Sequence, residues 1–100
     1  MIIFNTTYLV SDKVYGSFVK WIKEKHLPQM LETGHFNSPV VSRVLNNEAP
    51  EGSSVSVQFT TNDMDTLACW REQYGDLYEM EIGSLFSEEV LYFSTCMEII

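Results

Sequence analysis

Trp21-Ile22-Lys23-Glu24-Lys25-His26-Leu27-Pro28-Gln29-Met30-Leu31-Glu32-Thr33-Gly34 reads as the back half of a long amphipathic helix, and the rest of the chain is arranged around it. On a wheel of about 100° per residue started at Val14, the side chains of Val14, Tyr15, Phe18, Val19, Trp21 and Ile22 share one arc of about 160°. Lys13, Gly16, Ser17, Lys20, Lys23 and Glu24 lie opposite. A helix divided in this way has to rest on something flat and apolar. Ser11 or Asp12 can accept from the free amides of the first turn, and Gly34 can take the left-handed conformation that ends a helix. Pro28 removes one backbone donor and pushes Leu27 away from helical angles, which predicts a kink or short break between His26 and Gln29. Continued as an ideal helix, the wheel carries Lys25 and His26 onto the apolar arc.

Outward from the helix the chain alternates strand signals with one more helix. Ile2 to Val10 is rich in β-branched and aromatic residues and reads as a strand; His35 to Pro39 is turn-forming, and Val40 to Leu45 reads as the next strand. Asn46 to Ser53 is too polar to bury and gives a long hairpin loop. Ser54 to Thr61 alternates cleanly, with Val55, Val57 and Phe59 on one face and Ser56, Gln58 and Thr60 on the other. Thr61, Asn62 or Asp63 can cap a second helix from Met64, with Leu67, Trp70, Tyr74 and Leu77 on its apolar stripe, weakened at Gly75 and fading between Gly83 and Ser87. Val90 to Ile99 closes as a strand with Leu91, Phe93, Met97 and Ile99 on one face and Tyr92, Ser94, Cys96 and Glu98 on the other.

The order β-α-β-β-α-β is the split βαβ, or ferredoxin-like, arrangement of the α+β class: a four-stranded antiparallel sheet with two helices on one face. The helix-free face is expected to carry Ser56, Gln58, Thr60, Tyr92, Ser94, Cys96 and Glu98, together with Asn5, Thr7 and Arg43 and the apolar Ile3, Leu9 and Leu45. Such a face is too polar for a dry core and too apolar to be freely solvated, which suits a homodimer that presses two copies together. Arg43, Gln58, Tyr92 and Glu98 are the expected dimer-face residues, with Arg43 and Glu98 able to pair across the contact.

The 100 residues suffice for one domain, residues 1–100, with 45% apolar content. A net charge of −8 with only six Lys and Arg gives phosphate backbones little to hold, so neither nucleic acid nor an anionic membrane is an expected partner. The opening Met1-Ile2-Ile3-Phe4-Asn5 lacks a basic leader region, and no apolar run approaches the roughly 20 residues of a membrane span, which places the protein in the cytoplasm. Cys69 and Cys96 have no metal-ligand spacing and read as plain thiols. No metal cluster, phosphate loop or nucleophile elbow appears in the sequence, and no cofactor is expected.

Several residues carry chemistry on one reading and packing on another. His26, beside the expected helix break, can carry a proton at a pKa near neutral, or can simply bond the carbonyls freed at a helix end. His35 follows Gly34 and reads as solvated. Trp70, Tyr74 and Tyr78 can line a pocket for a flat aromatic molecule, although aromatics at helical spacing are core by default. Glu81 marks either the point where the helix leaves the core or a carboxylate in a pocket, and the first reading is preferred.

The opening Ile2-Ile3-Phe4-Asn5-Thr6-Thr7, the Trp21-Ile22-Lys23-Glu24 turn running into His26-Leu27-Pro28, the Thr33-Gly34-His35-Phe36 helix exit, Ser56-Val57-Gln58-Phe59 and Met97-Glu98 together resemble DUF4286, a bacterial family without assigned activity that is common in Bacteroidetes. The resemblance spans nearly the whole chain. It implies a ferredoxin-like unit of the dimeric α+β barrel superfamily, which contains cofactor-free and haem-degrading monooxygenases, small isomerases and ligand-sensing domains. Haem-degrading relatives pair a strand-one Asn with a second-helix Trp and an iron-binding His on that helix. Asn5 and Trp70 stand at matching kinds of position, but Met64 to Ser84 holds no histidine, so haem degradation is rejected.

The expectation is a cytoplasmic homodimer that binds a small molecule between sheet and helices or serves a structural role, its pocket lined by Asn5, Trp21, Trp70 and Tyr78. The enzyme alternative is a cofactor-independent monooxygenase or isomerase on a small aromatic or cyclic substrate, with His26 or Tyr74 as proton-transfer candidates. The third is a protein interaction module. A closed cleft of a few hundred Å³ with His26, Trp70 or Tyr74 pointing into it favours the first two, and a filled interior favours the third.

Overall fold

Alternation and amphipathic spacing along the chain become a four-stranded antiparallel sheet in the order β2-β3-β1-β4. The computed structural model describes residues 1–45 and 52–100, so most of the expected Asn46 to Ser53 loop lies outside the described residues. The strands are β1 Ile2–Val10, β2 Asn37–Arg43, β3 Ser53–Thr61 and β4 Val90–Glu98. The first helix is built of α1 Tyr15–Trp21, a π-helical turn Ile22–His26 and α2 Leu27–Glu32. The second is built of α3 Met64–Trp70, a π-helical turn Arg71–Gly75 and α4 Asp76–Phe86. Both lie on one face of the sheet, since the Tyr8 ring of β1 packs against Phe18 of α1 and its hydroxyl meets that of Tyr78 on α4. This is the ferredoxin-like arrangement.

Period two decides which side chains of the central strands go inward. Phe4, Tyr8 and Val10 of β1 and Val55, Val57 and Phe59 of β3 are buried under the helices, joined by Phe18, Ile22, Leu67, Trp70, Ile82 and Phe86. Asp63 caps the second helix, its Oδ1 accepting from the Thr66 amide at 2.8 Å and the Thr66 hydroxyl at 2.7 Å. These bonds hold the Asp63 carboxyl below its usual range. The first helix is less conventionally started, since Val14 stands at its N-cap without a side-chain bond and Ser11 caps only the preceding turn, through Lys13 N–H. Gly34, at φ +79°, ends the helix in the expected left-handed conformation. β2 begins earlier than expected, at Asn37, with a bulge before Val40, and Pro39 is accommodated there because β2 is an edge strand.

Two expectations are corrected. Pro28 does not break the helix: Leu27 stays helical at φ −58° and ψ −51°, and its N–H bonds the Ile22 carbonyl five residues back. The proline lacks the N–H that Glu24 would have received, and a widened turn relieves the clash without interrupting the rod. A π turn also brings residues five apart into line, which is why the rings of Trp21 and His26 stack, 4.9 Å apart, while Lys25 is left exposed.

The second correction concerns β4. It pairs with β1 in the register Tyr8↔Tyr92, Val10↔Val90 and Ile2↔Glu98, so Tyr92, Ser94, Cys96 and Glu98 share the helix side. Leu91, Phe93 and Met97 turn to the open face, opposite Leu9, Thr7 and Ile3. Arg43 is likewise on the helix side, opposite Val55, with its guanidinium 5.6 Å from the Tyr15 ring centroid. Of the four expected dimer-face residues only Gln58, opposite Asn5, occupies the open face. Arg43 and Glu98 both lie on the helix side, so neither is placed to pair across the open face. The open face is consequently more apolar than the sequence pattern implies: Phe93 is 64% exposed and Leu91 61%, with Leu9 and Met97 beside them on the same face.

Candidate functional site

The two helices leave a cleft of about 390 Å³ between them. Gln29, Met30, Glu32 and Thr33 line it from the first helix and its end, and Trp70, Tyr74, Leu77, Tyr78 and Glu81 from the second, with His26 between. The π turns supply His26 and Tyr74, at the end of one and within the other. The cleft is therefore between the helices, where the sequence reading placed it between helices and sheet.

His26 is 3% exposed. Its ring lies between Trp21 at 4.9 Å and Tyr78 at 5.1 Å, both stacked, with Phe59 edge-on at 6.0 Å. Removing the imidazolium from water is costly among such rings, and burial pushes the His26 pKa down to about 4. The expected proton carrier near pH 7 is corrected accordingly: His26 is a neutral imidazole at physiological pH.

That burial makes a prediction about pH. An unfolded chain binds the His26 proton below about 6.5, whereas the folded chain does so only near 4, so stability is complete above 6.5 and falls as pH drops through that window. The contribution is on the order of 3 kcal/mol across the window. Urea unfolding of wild type and His26→Phe at pH 7 and pH 4.5 should show the wild type losing distinctly more stability on acidification. Equal losses in the two proteins would place the His26 ring in water.

Trp21 packs behind His26 and donates from Nε1 to Oε1 of Glu81 at 2.8 Å. Glu81 is therefore a half-buried carboxylate held at the cleft, and the preferred reading of it as a helix-exit residue is corrected. The only signal for this was a carboxylate on an apolar stripe, and its indole partner comes from the other helix, 60 positions away. Trp70 is 3% exposed, and its Nε1 finds no hydrogen-bond partner among the described residues. Tyr74 is 37% exposed at the cleft, with His35 edge-on 6.2 Å away. His35 is half-buried with Nδ1 shut off from water, against the solvated position expected for it.

Beneath the cleft the hydroxyls of Tyr8 and Tyr78 bond to each other, and the Tyr92 ring packs 5.7 Å from Tyr8 and 5.9 Å from Tyr78. Burial raises the pKa of the Tyr8 and Tyr78 phenols above their usual value, so both stay protonated. Tyr92 is raised also, by burial first and then by the nearby Glu79 charge. A second hollow of about 440 Å³ lies between the second helix and β4, with Trp70 and Tyr78 shared by both hollows as a wall. Asn5, expected in the pocket, lies on the other side of the sheet, where its Oδ1 accepts from Ser56 and its Nδ2 donates to Thr7 at 3.3 Å. The structure thus gathers His26, Trp70, Tyr74 and Tyr78 at one cleft with Trp21 behind it, and leaves Asn5 out.

The family DUF4286, described as a domain of unknown function, matches residues 1–100. No curated protein matches the chain. Among solved structures, HapK from Hahella chejuensis is similar over 100% of this chain and 93% of its own, at 15% identity and a TM-score of 0.70. A dimeric ferredoxin-like protein from an uncultured marine organism is similar over 100% of this chain and 95% of its own, at 12% identity and a TM-score of 0.71. An ethyl tert-butyl ether d (ethd) family protein from Bacillus halodurans is similar over 100% of both chains, at 12% identity and a TM-score of 0.72. At such identities these likenesses show the ferredoxin-like fold alone.

Proposed function

The chain belongs to the DUF4286 family, a domain of unknown function, and we propose that it is a homodimeric small-molecule-binding domain of the cytoplasm. Its binding site is the cleft between the helices and its subunit contact is the open sheet face. One observation carries the ligand reading: the helix layer is not filled, but keeps a cleft of about 390 Å³ walled by Trp70, Tyr74 and Tyr78. Small-molecule sites are mostly apolar hollows of roughly 300–1,000 Å³ with a few polar groups converging on them. Glu81, His26 and Gln29 are such groups here. A pure interaction module has no need of the hollow. The low basicity of His26 speaks against a catalytic base at that position.

The dimer reading rests on Leu91, Phe93 and Met97, which stand exposed beside Leu9 and Ile3 on one face. Two of the structures similar in fold are themselves described as dimeric ferredoxin-like proteins. No helix among the described residues is long and apolar enough to cross a membrane.

Thermal-shift screening against a metabolite library tests the ligand reading. A ligand present at about 100 times its Kd adds about 2.7 kcal/mol, a rise in Tm of roughly 10 °C or more for a domain of this size. Tyr74→Ala, a substitution at an exposed cleft wall, should remove most of that rise without loss of the fold. A rise unchanged in Tyr74→Ala and in Glu81→Gln would put the ligand elsewhere, and a library without a hit would count against the reading.

A further inference from the structure

We propose that the cleft is selective for a flat organic cation, an aromatic amine protonated at neutral pH or a quaternary heteroaromatic nitrogen compound, over neutral and anionic molecules of the same shape. This rests on the ligand-binding reading above and adds the charge of the ligand to it.

The charges at the cleft are of one sign. Glu32 and Glu81 line it, and neither Lys nor Arg is among its lining residues. Lys20, Lys23 and Lys25 sit on the exposed side of the first helix. His26, the remaining ionisable nitrogen at the wall, is neutral at pH 7, so it adds no positive charge to repel a cation. An anionic ligand would meet carboxylates with nothing to offset them.

The walls suit the same ligand. Trp70, Tyr74 and Tyr78 line the cleft, Tyr74 being the most exposed at 37%, and the electron-rich face of such a ring attracts a cation placed over it. Flat shape follows from this aromatic lining, in which the Trp70 and Tyr78 rings lie 5.9 Å apart with Tyr74 at the same cleft. Glu81 is one helical turn beyond Tyr78, and the Trp21 indole bonded to its Oε1 at 2.8 Å holds the carboxylate in place before any ligand arrives. A fixed carboxylate loses little side-chain freedom on binding, which strengthens the pairing with a cation. The net charge of −8 draws cations toward the molecule as a whole, but it cannot by itself make the cleft selective.

Three double-ring probes of one shape separate the possibilities at pH 7.5: 1-methylquinolinium as the cation, quinoline as the neutral molecule and quinoline-4-carboxylate as the anion. Titration calorimetry on the intact protein measures affinity, and the indole N–H signals of Trp21 and Trp70 report whether the cleft is the site. The cation should bind about tenfold more tightly than quinoline, and the anion most weakly. Replacing both Glu32→Gln and Glu81→Gln should weaken the cation about tenfold and leave quinoline within about twofold. Glutamine at position 81 can still accept from Trp21, and matching urea midpoints confirm that the fold is kept. Quinoline or the carboxylate binding at the cleft as tightly as the cation would overturn the charge preference and leave the ligand-binding reading standing. Failure of all three probes to bind at millimolar concentration would overturn both.

Discussion

Phe93→Asp is expected to turn the proposed dimer into monomers at micromolar concentration while leaving the subunit folded. The residue projects from β4 on the helix-free face beside Leu91, and both are more than 60% exposed in the single chain. In a two-fold contact each substitution occurs twice. Losing about 1.5–3 kcal/mol of apolar burial from each copy weakens association by about 3–6 kcal/mol, a hundredfold to ten-thousandfold in Kd. Static light scattering reads the outcome directly, as a mass of one chain instead of two. The neighbouring Tyr92→Asp should behave differently, because Tyr92 points at Tyr8 and Tyr78 under the second helix and an aspartate there would lower the stability of the subunit itself. A Phe93→Asp protein that keeps its dimeric mass, or a wild type that is monomeric, removes the open face as the contact.

Phe18→Ala should cost about 3–5 kcal/mol of unfolding free energy, out of the roughly 5–15 kcal/mol that a domain of this size has in total. Phe18 has no exposed surface. Its ring lies 4.9 Å from Tyr8 on the sheet, 6.0 Å from Trp21 on the same helix and 5.5 Å from Phe86 at the end of the second helix, so it ties three elements together. Truncation loses those contacts and leaves a cavity that rigid neighbours cannot close. By contrast Tyr74→Ala, at the cleft wall, should cost less than about 1 kcal/mol. Urea unfolding of the three proteins gives both values, and a loss below about 1 kcal/mol at position 18 would mean that the first helix does not dock on β1 through this ring.

How far the sequence could be read depended on whether a residue's partner was near it in the chain. The inner face of β3 was legible because Val55, Val57 and Phe59 alternate with Ser56, Gln58 and Thr60, and that of β1 because Asn5 and Thr7 mark the opposite face from Phe4, Tyr8 and Val10. The helix stop at Gly34 and the cap at Asp63 were legible for the same reason, being local backbone chemistry. Trp70, Tyr74 and Tyr78 were visible as aromatics at helical spacing, but whether they filled the core or lined a hollow depended on how far the other helix stood from them. Glu81 was misjudged because its partner Trp21 belongs to that other helix.

Sequence alone determined the order of elements, the single covered face of the sheet and the residues that form its centre, because these follow from periodicities carried within each segment. Tertiary structure decided the rest. β4 has apolar residues at both phases of its alternation, Val90, Tyr92 and Cys96 at one and Leu91, Phe93 and Met97 at the other, so it has no inside of its own, and only pairing Val10 with Val90 turns Leu91 and Phe93 outward. The widened turn at Ile22–His26 likewise follows from how a proline is accommodated in a helix already docked on the sheet. Side-chain direction in a strand reverses with a shift of one residue, and no local signal in an apolar strand resists that shift; the hydrogen bonds to a neighbouring strand do.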